Sequence, residues 1–156
     1  IKNNSIGENN AFQRVSGSIS EAGMVAVAID LTSVETGVGI RNERLQTMLF
    51  DVASFPSATV KATLSPAQVM ALRGGGTVTE SVALDVSLYG TTVSKTAELL
   101  VSVLDDDVRV TSTQPIMITA QDFGLESGVA ALQKIAGLSA ISRSIPITVD
   151  LRLTAN

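Results

Sequence analysis

Cysteine, histidine and tryptophan are all absent from the 156 residues, and aromatics make up only 3%. Without cysteine there is no disulfide framework, no thiolate nucleophile and no cysteine metal site. Without histidine, the commonest general base and the commonest metal ligand are missing as well. Charge of either sign is modest: 11 Lys and Arg stand against 15 Asp and Glu, a formal −4. With no basic run interleaved with aromatics, that balance argues against nucleic acid and anionic membrane surfaces as partners. No apolar run reaches the roughly 18 residues of a membrane-crossing helix, so none is expected. The chain opens at Ile1 with neither a charged segment nor an apolar targeting run. A start without Met fits processing, with a removed signal peptide as one candidate.

What remains is aliphatic. Apolar residues make up 45% of the chain and the mean hydropathy is +0.34, so Val, Leu, Ile and Ala must build the core. A chain of this length reads as one domain over 1–156, able to bury roughly 70% of its unfolded surface. Branched aliphatic side chains suit a pleated, half-buried surface.

The dominant pattern has period two. Val78, Glu80, Val82, Leu84, Val86 and Leu88 alternate with small polar residues, with Glu80 the one break. Ile145, Ile147, Val149, Leu151 and Leu153 alternate with Pro146, Thr148, Asp150 and Arg152. Strands with one face in a core read this way. Others are expected over 24–31, 59–64, 97–104, 108–112 and 116–120. Turn chemistry separates them at Glu21-Ala22-Gly23, Gly74-Gly75-Gly76, Tyr89-Gly90-Thr91 and Asp105-Asp106-Asp107. Short helices are predicted over 67–73, behind Ser65 as cap and Pro66, and over 128–136, with Ser127 as cap and Gly137 as stop. A third short helix is predicted over 43–48. Strands joined by short turns favour antiparallel pairing, and many of them must close or stack to hide their edges.

Motifs for chemistry are missing. There is no Gly-x-Ser-x-Gly elbow, no supported Ser-x-x-Lys pattern, no Gly-x-Gly-x-x-Gly and no phosphate loop. Acidic residues fall mostly in turns or on polar strand faces, so no carboxylate pair for acid–base work can be argued. Asp105-Asp106-Asp107 reads as a solvated turn rather than a Ca²⁺ loop, lacking the glycine and distal Glu of an EF-hand. The expectation is a protein that is not an enzyme, with no metal and no cofactor. Between the strand ending near Leu31 and the apolar stretch 49–56, Arg41 and Arg44 stand out. Either could anchor an acidic or phosphorylated head group; the alternative for Arg41 is pairing with a structural carboxylate that pins the loop.

At these residues the chain resembles the YceI-like domains, the polyisoprenoid-binding family. Ile29-Asp30-Leu31-Thr32-Ser33-Val34-Glu35-Thr36 is similar to the family's Ile-Asp strand end followed by Ser-Val-x-Thr. Arg41-Asn42-Glu43-Arg44-Leu45 matches its Arg-Asp-x-His-Leu element, and Leu49-Phe50-Asp51-Val52 with Phe55-Pro56 matches Phe-Phe-x-Val and Tyr-Pro. Val86 to Thr92 resembles its Leu-Thr-Leu-x-Gly-x-Thr turn, and Asp122-Phe123-Gly124 fits an Asp-Phe-Gly segment. Order and spacing hold from about Phe12 to Leu153. Departures are Asn42 for Asp, Arg44 for His, Gln46 for Arg and Val93-Ser94 for Lys-Pro. Ile1-Lys2-Asn3 matches only the end of the family's opening strand.

The resemblance implies an all-β, lipocalin-like antiparallel β-barrel with one to three short helices. It also implies an apolar interior holding a long-chain lipid such as an isoprenoid or a quinone-type lipid. Such domains are often periplasmic or secreted and often form homodimers. The inward-facing candidates for contact with the ligand are Val27, Ile29, Leu31, Val60, Leu84, Val86, Leu99, Val101, Ile118, Ile147 and Val149. Arg41 and Arg44 are the polar candidates at the mouth. The rival expectation is a structural or interaction module of the same fold with a filled core.

Overall fold

The computed structural model describes residues 8–154; the expected strand remnant at Ile1-Lys2-Asn3 lies outside them. Among the described residues eleven strands run in chain order: β1 (Ala11–Phe12), β2 (Val15–Ile19), β3 (Met24–Asp30), β4 (Val34–Glu35), β5 (Ser57–Thr63), β6 (Gly76–Leu88), β7 (Thr91–Leu104), β8 (Asp107–Ser112), β9 (Ile116–Thr119), β10 (Ser144–Ile147) and β11 (Asp150–Thr154). The helices are α1 (Gly39–Arg44), continued by one wider π turn (Leu45–Leu49), α2 (Pro66–Arg73) and α3 (Glu126–Ile135). Seven strands form one antiparallel sheet in the order β11-β8-β7-β6-β5-β3-β2, curled into a nearly closed barrel.

The β6–β7 hairpin is the longest element. Its strands of 13 and 14 residues extend for roughly 45 Å at about 3.3 Å per residue. Tyr89 and Gly90 turn it, both at positive φ, the conformation whose twist matches that of the flanking strands. Only Asp85–Ser87 of β6 pair with β5, so the hairpin runs past β5. Beside the free edge lies α2, whose Gln68 side chain donates to Glu80 Oε2 at 2.9 Å and to the Ser81 carbonyl at 3.4 Å. Ser65 and Gln68 cap α2 reciprocally.

The C-terminal alternating run departs from the single strand its period implies. It is two strands: β10 pairs with β9 and β11 pairs with β8, with the change of partner at Thr148-Val149. The facing chain bends at the matching place, Thr113 to Pro115, where proline cannot donate to a ladder. Alternation is unchanged by such a switch, because both partners present the same face. Strand β3 ends at Asp30, not Leu31, since the Asp30 carboxylate accepts from Thr32 N at 2.9 Å and starts a 3₁₀ turn, Leu31–Ser33. The predicted helix over 43–48 begins earlier, at Gly39. Helix α3 likewise starts at Glu126, with Leu125 rather than Ser127 at the cap position and no side-chain cap bond.

One end of the barrel is plugged. Leu31, Leu49, Ala58, Leu88, Ile118, Ala120, Phe123, Leu125 and Val129 form a buried cluster there. All five aromatic residues gather at this end: Phe123 is fully buried, Phe12 lies 6.0 Å from Phe50, and Phe55 lies 4.9 Å from Tyr89 between ring centroids. Helix α3 crosses the π turn at backbone distance. A Cβ built at Gly128 would lie 2.9 Å from the Met48 carbonyl oxygen and 3.2 Å from Leu49 Cα. Replacing Gly128 by Ala therefore forces the plug apart. We expect a loss of about 1–3 kcal/mol, read as a lower urea midpoint at unchanged slope.

Candidate functional site

Register partners across antiparallel strands share a face, so the strand pairings place the paired side chains on the inside or the outside of the barrel. Gly17, Val27, Val60, Val86 and Val93 form one continuous inward row over β2, β3, β5, β6 and β7. The neighbouring outward row is Ser16, Ala28, Thr59, Ser87 and Thr92. Further along the barrel, Val78, Val101, Val110 and Leu151 form a second inward row. The interior wall is thus aliphatic, with the aromatic rings kept to the plug.

The sequence candidates divide by location. Val27, Ile29, Val60, Leu84, Val86, Leu99 and Val101 lie on the inward face of the seven-stranded sheet. Leu84 and Val101 are buried, while Val27, Ile29, Val60, Val86 and Leu99 stay half-buried. Leu31 is not a wall residue: it sits in the 3₁₀ turn beyond β3, 1% exposed, inside the plug. Ile118 belongs to β9 and is buried in the plug, whereas Ile147 of β10 is half-buried against it. Val149 stands at the change of partner, its N–H donating to Ser112 Oγ at 2.9 Å.

Arg41 and Arg44 are carried by α1. The Arg41 guanidinium pairs with the Glu8 carboxylate, so that cation pins the chain ahead of β1. The motif residues around it build structure in the same way. Asn42 Oδ1 accepts from Thr36 N at 2.9 Å and from Thr36 Oγ1 at 2.6 Å, and Asn42 Nδ2 donates to Glu35. Asp30 binds Arg14 Nε at 2.8 Å, and the buried Ser33 hydroxyl donates to the Asp30 carbonyl. Hydrogen bonds from Thr32 and then Arg14 hold the Asp30 carboxyl below its ordinary value.

The inward face carries charge at Glu80 and Lys95. Glu80 is met by Gln68 at the α2 end. Lys95 opposes Leu84 and lies between Val93 and Ala97 on the same face. Its ammonium donates to Asp122 Oδ2 at 2.9 Å, and that oxygen also accepts from Thr119 N at 2.8 Å. Sequence reasoning missed the pair, although Lys95 falls on the apolar parity of Val93, Ala97, Leu99 and Val101. Two open hollows of about 350 and 740 Å³ lie instead on the outer face of β2, β3 and β5. They are open and lined largely by short or polar side chains, such as Ser16, Ala28 and Ser57, and do not enclose a long-chain ligand. Among the described residues no group of three acidic side chains is placed to hold a metal ion, and no helix is long and apolar enough to cross a membrane.

A barrel plugged at one end, with an aliphatic interior, defines the class of protein. The chain belongs to the YceI-like domain family, whose profile matches residues 4–153. Among solved structures it is similar to a polyisoprenoid binding domain from Saccharophagus degradans implicated in plant cell wall breakdown. That likeness has a TM-score of 0.92 and 32% identity, over 100% of this chain and 90% of the other. It shares the fold with the YCEI protein of Campylobacter jejuni (TM-score 0.68, 16% identity, 100% and 90% covered) and with Burkholderia cenocepacia BcnA (0.68, 19%, 93% and 87%). No curated protein matches the sequence.

The Asp122 carboxyl is held below its ordinary 3.8, first by the hydrogen bond from Lys95 and then by Thr119 N–H. A depressed carboxyl pKa contributes stability that is present above the unfolded value and lost as the pH falls through the folded one. Wild type and Asp122→Asn should therefore differ by a constant Tm gap between neutral pH and about pH 5. That gap should close as the pH drops below 3.8; thermal melts across the range check it.

Proposed function

We propose that the chain is a binding or carrier module for a long-chain apolar ligand, of polyisoprenoid, quinone or fatty-acid-like character, held along the barrel. The observation that carries this reading is the half-buried aliphatic row Val27, Val60, Val86 and Val93, which runs across four adjacent strands. The likeness to a polyisoprenoid binding domain supports it. Burial of apolar surface at about 25 cal/mol per Å² suffices to hold such a ligand with few polar contacts. The side-chain inventory supports a role without catalysis, because the sequence offers no histidine or cysteine as base or nucleophile and six of its acidic groups are held in ion pairs.

A second reading has its own observation. Val82, Leu84, Ala97 and Ile116 form a buried cluster against the β6–β7 wall, as a filled-core interaction module would require.

Native mass spectrometry of freshly purified protein, followed by lipid extraction, separates the two. A discrete added mass that extracts as a long-chain compound supports the carrier; a clean apo mass from a lipid-replete host supports the filled module. Val27→Asp should abolish lipid retention, whereas Ala28→Asp, one residue along and on the outer face, should leave it intact. Equal lipid loads in both folded variants would remove the inner wall from the site.

A further inference from the structure

Two buried clusters occupy the inward face of the β6–β7 hairpin: the plug, against which Val86 and Val93 pack, and the group Val82, Leu84, Ala97 and Ile116. Lys95 lies between them in register, one step from Val93 and one from Ala97. A charge placed between apolar clusters is costly to bury and needs a partner or water. The Lys95 and Asp122 side chains have each other and each retain 25% exposure, so the pair stays reachable beside the two clusters.

The pair is also incompletely bonded. An ammonium group has three donors, and among the described residues Lys95 spends one, on Asp122 Oδ2. Asp122 accepts from the Lys95 ammonium and the Thr119 N–H through that same oxygen, the Thr119 hydroxyl also helps to hold the carboxyl low, and Oδ1 stays available to a further donor. The site therefore offers N–H donors and a carboxylate acceptor side by side, with no net charge.

Taken with the binding reading above, on which this rests, the geometry points to the Lys95–Asp122 pair as the anchor of a neutral hydroxyl head, so that the barrel takes a long-chain alcohol. The hydroxyl oxygen accepts from Lys95 while its hydrogen is donated to Asp122 Oδ1. A phosphate in the same place brings a second negative charge against Asp122, which an already compensated lysine cannot offset. A hydrocarbon leaves both groups facing an apolar chain, which costs their hydration.

The test uses delipidated protein and three C20 probes: geranylgeraniol, geranylgeranyl monophosphate and phytane, compared by competition in native mass spectrometry. Wild type should hold the alcohol roughly tenfold more tightly than either alternative, the value of one charge-assisted hydrogen bond. Lys95→Met removes the donor to the hydroxyl oxygen and should narrow the alcohol's advantage over the hydrocarbon severalfold, the bond to Asp122 remaining. Asp122→Asn keeps an acceptor for Thr119 N–H but leaves Lys95 uncompensated, so it should reverse the order in favour of the phosphate. A purely structural ion pair would weaken all three probes together, and a rank order unchanged in both variants overturns the proposal. If no probe binds wild type, the binding reading itself fails. Lys95→Arg, which keeps the charge and the ion pair, should retain the preference for alcohol and guards against a folding defect in Lys95→Met; loss of that preference also counts against the anchor.

Discussion

Thirteen consecutive register pairs join Gly76–Leu88 to Thr91–Val103, and the other elements take their places from that ladder. A hairpin of this length exposes unpaired backbone along both outer edges, and each stretch must find a partner. Strand β8 pairs with Leu99–Leu104, β5 with Asp85–Ser87, and the Gln68 side chain reaches Ser81 where β5 has ended. The stagger of these partners gives the barrel different ends. Near the Tyr89-Gly90 turn the strands converge on rings and helices, while the far end is rimmed by turns and α2.

The family signature and the barrel wall share Ile29 and Val86, but the polar and aromatic residues of the signature lie elsewhere. Asp30, Ser33, Thr36 and Asn42 are spent on caps and loop hydrogen bonds, and Phe50, Phe55 and Phe123 on the plug. The wall needs only aliphatic volume at alternate positions, which many residues satisfy equally. This explains how a recognisable motif set can accompany a plain interior. It also explains why Arg41, prominent in sequence, serves as a pin to Glu8.

Most of the β architecture was legible because alternation reports which face is buried. The strand over 77–88 and the tyrosine-glycine turn follow from composition and turn chemistry alone. What alternation cannot report is the identity of a partner, so the passage from β10 to β11 at Thr148-Val149 was invisible within an unbroken pattern. Starting a strand at Ala97 hid that Lys95 shares its parity. Leu31 read as wall because its apolar character continues the alternation of β3; only the Asp30 side chain, by capping Thr32, turns it into the plug. For the interior candidates, parity was readable but burial was not, since depth depends on which elements cover the end of each strand.

One line of the barrel is held differently from the rest. Strands β2 and β11 end the seven-stranded order without a ladder between them, yet a Cβ built on Gly17 would stand 3.5 Å from Leu153 Cδ2. Van der Waals attraction between single atom pairs is worth only about 0.1–0.2 kcal/mol, far weaker than a row of hydrogen bonds. The structure is in this sense a slit tube, not a welded one. Its circumference could widen by parting Gly17 from Leu153 while every ladder stays intact, which no other line around the barrel allows.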